Sequence, residues 1–109
     1  MGLTKYHNID GSTGVSVELL ALNSGVSGLK SISIVNTHAS NAGTISLFIQ
    51  VSIPLAAPKT FYIIKTVTLP VGATLFMDDK SMVTFDNSKY ALYATVGSSD
   101  TIDISLKFL

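Results

Sequence analysis

The chain has 109 residues, no formal net charge and no cysteine, which limits it to one domain and excludes disulfides, thiolate metal sites and cysteine nucleophiles. Its seven basic residues are all lysines, so the bidentate guanidinium fork that reads phosphate and guanine is missing and we expect no nucleic-acid partner. Hydrophobic residues make up 47% of the chain and charged residues 13%, against about 25% charged in ordinary soluble domains, so either membrane contact or burial against other subunits is expected.

The first segment, residues 1–14 (MGLTKYHNIDGSTG), is rich in glycine and polar residues and shows no apolar alternation. It also lacks the apolar core of a signal peptide. We predict an extended N-terminal arm that is loose in the isolated chain, followed by a single sandwich domain over residues 15–109. Leu3, Tyr6 and Ile9 would allow the arm to dock on a neighbouring subunit.

From residue 15 onward the dominant pattern is an apolar residue at every second position, which is typical of half-buried strands. No stretch of helical length carries the apolar stripe of an amphipathic helix, and turn signals separate the alternating sets. We therefore predict an all-β fold, an antiparallel β-sandwich of jelly-roll-like architecture with about eight strands. The clearest alternating sets are Ile45/Leu47/Ile49/Val51/Ile53, Phe61/Ile63/Val67/Leu69, Tyr90/Leu92/Ala94/Val96 and Ile102/Ile104/Leu106/Phe108.

A membrane-spanning helix is not expected. The longest apolar run, around residues 47–57, is interrupted by Gln50, Ser52 and Pro54, and a span needs roughly 20 apolar residues. Assembly with other subunits therefore explains the low charge better than membrane insertion does.

Aromatic residues indicate where such a contact would form. Phe48 interrupts the polar face of its strand, and Tyr62 directly follows Phe61, so one member of that pair must point outward. We predict Phe48 and Tyr62 as exposed interface residues. As an alternative, Tyr62, Tyr90 and Tyr93 would make a sugar-stacking platform if they shared one outer face.

The polar connector NTHASNAG (36–43) contains a histidine, two asparagines and hydroxyl groups, which is enough material for a site. It lies between two predicted strands, Leu29–Val35 and Thr44–Ile53. That position favours a turn, in which asparagine and threonine side chains bond the local backbone and glycine supplies a positive φ. His38 is then a residue at the tip of a loop.

No set of residues meets the requirements of a known catalytic or metal site. His7 and His38, the two histidines, stand far apart in the sequence, and no nucleophile elbow of the G-x-S-x-G type is present. Asp78, Asp79 and Asp86 could supply oxygen ligands to calcium, but aspartates in turns more often bond their own backbone. We predict no catalytic residue, no cofactor and no metal, and a protein that is not an enzyme.

Three stretches, taken together and in this order, resemble small virion structural proteins of tailed bacteriophages of the marine and cyanobacterial type. The resemblance covers residues 29–108 and departs from the family pattern at ALNSGVSGLK (21–30), which lacks a proline often found there. It implies a compact β-sandwich carried on the particle without catalysis, as capsid decoration or cement or as a module of the neck, tail or fibre. The three stretches are LKSISIVNTHASNAGTISLFI (29–49), TFYIIKTVTLPVGATL (60–75) and SKYALYATVGSSDTIDISLKF (88–108).

The function expected from these observations is that of a bacteriophage virion structural protein that decorates or cements the capsid through contacts between subunits. Its partners would be copies of itself, as a trimer at a capsid three-fold position, and a major capsid or other virion protein, with no membrane partner. It would lie on the particle surface after synthesis in the host cytoplasm. The alternative is a binding module of the tail, neck or fibre that contacts a host glycan or another tail protein.

Overall fold

A computed structural model describes residues 4–10, 16–21, 29–51, 59–79, 83–97 and 100–108 of the chain. These ranges contain eight β-strands, and all the strand pairs are antiparallel. The strands are β1 (Thr4–Asp10), β2 (Ser16–Leu20), β3 (Leu29–Asn36), β4 (Gly43–Val51), β5 (Thr60–Leu69), β6 (Thr74–Met77), β7 (Tyr90–Val96) and β8 (Thr101–Phe108). Nowhere in the described ranges does a helix have the length and hydropathy to cross a membrane.

The strands form two four-stranded sheets. Sheet A has the order β1–β8–β3–β6, and sheet B has the order β2–β7–β4–β5. Every connection except the one between β4 and β5 therefore passes from one sheet to the other, and the resulting order is that of a jelly roll. The prediction of an all-β, jelly-roll-like sandwich of about eight strands is confirmed.

The core is the apolar layer between the two sheets. Alternate residues of the inner strands point into it, so the period-two pattern of the sequence becomes one buried face per sheet. The intervening residues of the same strands face outward. The most deeply buried inward side chains are Ile32, Ile34, Ile45, Leu47, Leu92, Ala94, Ile102, Ile104 and Leu106.

Strand β1 corrects the prediction of a loose N-terminal arm. It pairs with β8 along its whole length, from Thr4 opposite Lys107 to Asp10 opposite Thr101. Its alternation was hidden because the half-buried His7 takes an inward position where an apolar residue was expected. Ile9, predicted to dock on a neighbour, is instead 5% exposed and belongs to this chain's own core. Leu3 lies outside the described residues.

Strand β5 is an outer strand of sheet B and is irregular. Its register against β4 shifts twice, between Ile45 and Leu47 and again between Leu47 and Phe48. Thr66 has a positive φ of 51°, and its N–H donates to Ser46 Oγ at 2.8 Å. These β-bulges account for the irregular apolar pattern of the segment, and they blunt an edge that would otherwise be a template for strand pairing.

The connector between β3 and β4 carries the chain from sheet A to sheet B, and Asn36 holds it in place. The Asn36 side chain is 1% exposed. Its Nδ2 donates to the carbonyl oxygens of Asn41 and Leu69, each at 3.0 Å, and its Oδ1 accepts the His38 N–H at 2.9 Å. One amide thereby fixes both ends of the loop and ties it to the end of β5.

Replacing Asn36 with alanine should lower the free energy of unfolding by about 2–3 kcal/mol, because it leaves buried backbone groups without a partner. The measurement is urea unfolding of the purified chain, followed by circular dichroism. Asn41→Ala is the matched control: Asn41 is exposed and contributes its backbone oxygen to this network, so its loss should change stability by less than about 0.5 kcal/mol. Equal effects of the two substitutions would contradict the role given to Asn36.

Candidate functional site

The histidine and carboxylate side chains that could take part in catalysis or metal binding are dispersed over the fold, and several of them form hydrogen bonds that stabilise it. His38 Nδ1 accepts the backbone N–H groups of Ser40 at 3.1 Å and Asn41 at 3.0 Å, so this histidine organises its own loop. Asp100, 8% exposed, accepts the N–H of Thr44 at 2.9 Å. Within the described part of the chain, no three His, Cys, Asp or Glu side chains are grouped so as to hold a metal ion.

Of the three aspartates considered as calcium ligands, Asp86 stabilises a turn. Asp86 Oδ1 accepts both the N–H and the hydroxyl of Ser88, an arrangement that closes a local turn. These two hydrogen bonds hold the pKa of Asp86 below its ordinary value of 3.8. Asp78 and Asp79 are exposed at the end of β6.

His7 joins the two sheets at one side of the sandwich. Its Nε2 lies 2.9 Å from the carbonyl oxygen of Leu19 in β2, so a proton on this nitrogen is donated across the gap. Partial burial lowers the pKa of His7 from its ordinary value of 6.5; the bond to Leu19 opposes this shift and the charge of Lys5 adds to it. The ring therefore acts as a neutral link between β1 and β2.

Sheet B carries a continuous row of aromatic rings on its outer face. The strand register places Phe48 opposite Tyr62 of β5 on one side and opposite Tyr93 of β7 on the other. Phe48 lies 5.4 Å from Tyr62 and 5.5 Å from Tyr93 between ring centroids, with interplanar angles of 51° and 17°. We call Tyr62, Phe48 and Tyr93 the aromatic row; Glu18 of β2 follows it, opposite Tyr93.

The residues beside the aromatic row are short and polar. On one side Thr60 and Gln50 lie opposite each other, and Gln50 Nε2 donates to the Thr60 hydroxyl at 3.2 Å. On the other side Ser46, Thr95 and Ser16 follow one another across the strands, with the Ser16 and Thr95 hydroxyls 3.2 Å apart. The outer face of sheet B thus places aromatic rings between two bands of hydroxyl and amide groups.

The structure corrects part of the prediction for these aromatic residues. Phe48 does point outward, but it is only 7% exposed because Tyr62 and Tyr93 flank it. Tyr62 is 50% exposed, and the Lys65 ammonium lies 5.0 Å from its ring centroid. Tyr90 does not join the row; it contacts Phe61 edge-on at 5.8 Å.

The outer face of sheet A carries a different arrangement: among the residues of β1, β8, β3 and β6 that the structure describes, the outward aromatics lie at the two edges. One cross-strand row runs through Tyr6, Ser105, Ser33 and Phe76. Tyr6 is 75% exposed and Phe76 56% exposed, and three strand spacings put them about 14 Å apart. Sequence reasoning missed Phe76, although its inward neighbours Leu75 and Met77 imply that it points outward.

A shallow cavity of about 290 Å³ lies beside Tyr6 on this face. The amide of Asn8 donates to the carboxylate of Asp103 across β1 and β8 within it. The cavity is lined by Tyr6, His7, Asn8, Asp103, Ile104 and Ser105.

Comparison with known proteins identifies the architecture and no family. No protein-family model matches the sequence, and no curated protein matches it. Among solved structures the chain is similar to the STIV MCP, with a TM-score of 0.54 and 11% identity over 100% of this chain and 42% of that chain, so it spans less than half of that protein. At such identity the similarity concerns the fold.

Weaker similarities, each at a TM-score of 0.49, connect the chain to two further structures. One is PirA, 13% identical over 97% of this chain and 93% of that chain. The other is the family 11 carbohydrate-binding module from Clostridium thermocellum, 10% identical over 99% of this chain and 83% of that chain. Neither similarity bears on ligand or partner.

The lowered pKa of His7 predicts a pH dependence of stability. In the unfolded chain the His7 ring has a pKa near 6.5, and in the folded chain its pKa is lower. Between these two pKa values the unfolded state therefore binds more protons than the folded state. The contribution of His7 to the free energy of unfolding should therefore decrease as the pH falls below about 6.5 and level off below the folded pKa of His7. Urea unfolding at a series of pH values measures this.

His7→Gln is the control for that series, since glutamine retains an amide donor for the Leu19 carbonyl and does not titrate. The difference in stability between the two proteins should shrink toward acid pH. A constant difference across the series would show that His7 does not cause the pH dependence.

Proposed function

We propose that the chain is a virion structural protein that decorates or cements the capsid of a tailed bacteriophage and performs no catalysis. The observation that carries the proposal is the jelly-roll order of its two sheets, an architecture common in capsid proteins. The STIV MCP, a viral capsid protein, has a similar fold over the whole of this chain. The assignment to tailed bacteriophages rests on the sequence resemblance over residues 29–108.

The contacts that such a protein needs are supplied by the outer face of sheet A. Tyr6 and Phe76 stand exposed at opposite edges of this face, where each can reach a different neighbouring molecule. Aromatic residues such as these are enriched in contact surfaces between proteins, and charged residues are depleted at the centres of such surfaces. The partners proposed are a major capsid or other virion protein and further copies of the chain, the copies forming a homotrimer that matches a capsid three-fold axis.

Antibodies raised against the purified chain should label the heads of intact particles of the virus that encodes it, because a decoration protein lies on the outer surface of the capsid. Immunogold electron microscopy of purified particles makes the measurement, with pre-immune serum as the control. Label confined to the tail or fibre would support the alternative role as a tail module. A purified particle that lacks the chain would overturn the proposal.

Self-association should depend on the outer face of sheet A. In sedimentation velocity the wild-type chain is expected to shift from monomer to trimer as its concentration rises. The double substitution Tyr6→Ser with Phe76→Ser should raise the concentration required by about tenfold or more. For a monomer–trimer equilibrium this is about a hundredfold decrease in the association constant, or about 2.8 kcal/mol per trimer. Point substitutions are preferable to removing residues 1–14, since that deletion would also remove β1 and uncover the core at Ile9.

Tyr62→Ser provides the matched control for that experiment. It removes a ring of similar size, 50% exposed, from the other sheet, and it should leave the association unchanged. A wild-type chain that stays monomeric at every concentration would refute the trimer.

A further inference from the structure

The outer face of sheet B has a composition that an assembly surface does not require. Its central aromatic row is flanked by two bands of hydroxyl and amide groups. Ala91, opposite Gln50, contributes an aliphatic side chain to one of these bands. The cores of protein–protein interfaces instead combine aromatic residues with other apolar side chains, methionine and arginine. We propose that this face is a binding site for a neutral oligosaccharide, whose sugar rings lie against Tyr62 and Tyr93.

The aromatic row presents an apolar surface of the size and kind that a sugar ring contacts. The face of an aromatic ring carries negative charge density and attracts the C–H groups of a pyranose. Phe48 is buried between Tyr62 and Tyr93 and contacts both rings, which restricts their rotation. Binding therefore requires little additional ordering of these side chains.

The flanking residues provide the hydrogen bonds that sugar hydroxyls need. A hydroxyl both donates and accepts, and an amide carries one group of each type, so Ser46, Thr95 and Gln50 can satisfy hydroxyls in several orientations. Thr60 and Ser16 continue these two bands toward the edges of the sheet. A ligand with C–H groups on its faces and hydroxyls around its rim fits both parts of the surface.

The charge and the length of the face define the ligand further. Glu18 and Lys65 are the only charged residues in the four strands of sheet B; they have opposite signs and lie on opposite outer strands, β2 and β5. The face therefore has no net charge to favour a sulfated or carboxylated polymer. From β5 to β2 it spans about 14 Å, which accommodates several linked sugar units rather than one.

Affinity electrophoresis of the purified chain in native gels tests the proposal. The gels contain hydroxyethyl cellulose, galactomannan, amylopectin or dextran as neutral polysaccharides, and alginate as the anionic comparison. We expect at least one neutral polymer to retard the wild-type chain and alginate to have no such effect. Retardation by none of the neutral polymers, or by alginate most strongly, would overturn the proposal.

Substitutions locate the site. Tyr62→Ala and Tyr93→Ala should each weaken retardation at least tenfold, whereas Tyr62→Phe should keep most of it because the ring remains. Val71→Ala, in the turn between β5 and β6, removes exposed apolar surface outside both faces; it is the control and should bind like the wild type. Undiminished binding by both alanine variants of the aromatic row would place the site elsewhere and refute the assignment.

A measurement without substitutions guards against variants that fail to fold. The chain has no tryptophan and four tyrosines, so its intrinsic emission comes from tyrosine, and two of the four lie in the aromatic row. Titration with a soluble oligosaccharide of the retarding polymer should change that emission in a saturable manner. An unchanged emission would count against stacking. Because the assay uses the isolated chain, its result is independent of where the protein lies on a particle.

Discussion

The apolar contact between the two sheets determines what every other part of this chain can do. Side chains of a strand alternate between its two faces, so burying Ile32 and Ile34 of β3 commits Ser33 to the outside. A slip of one residue would turn the whole apolar set toward water, and the register is therefore strongly fixed. The positions that remain outside do not contribute to this core. Aromatic residues at such positions need an explanation that the core does not provide.

Alternation in the sequence was sufficient to predict the strands that contribute most to the core. It failed for β1 because a histidine takes an inward position there, and only the Leu19 carbonyl on the opposite sheet shows why that is tolerated. It also predicted correctly that Phe48 points outward and wrongly that Phe48 is exposed. Exposure depends on the neighbours across the sheet, and the pairing register that brings Tyr62 and Tyr93 beside Phe48 cannot be obtained from one strand alone.

The spacing of two tyrosines was sufficient to exclude one of the predicted sugar-stacking residues. Tyr90 and Tyr93 are an odd number of residues apart in one strand, so they must face opposite sides and cannot share a platform. For Phe61 and Tyr62 the spacing along the strand is not sufficient, because the bulges of β5 change which residues face the core. The role of Asn36 was partly visible as a polar residue ending a strand. The hydrogen bond from Asn36 to the Leu69 carbonyl could not be predicted from the sequence, because Leu69 lies far along the chain.

The two outer faces arrange their aromatic residues differently, and this difference motivates the separate roles proposed for them. On sheet A the exposed aromatics lie at the edges with serines between them, so each is placed to contact a molecule beyond its own edge. On sheet B the rings touch one another in the middle of the sheet and polar groups surround them. Separated edge contacts suit neighbours on several sides, as in a shell of repeated subunits. A continuous central row suits a single ligand laid across the strands, so one sandwich can be held by one face and still present the other.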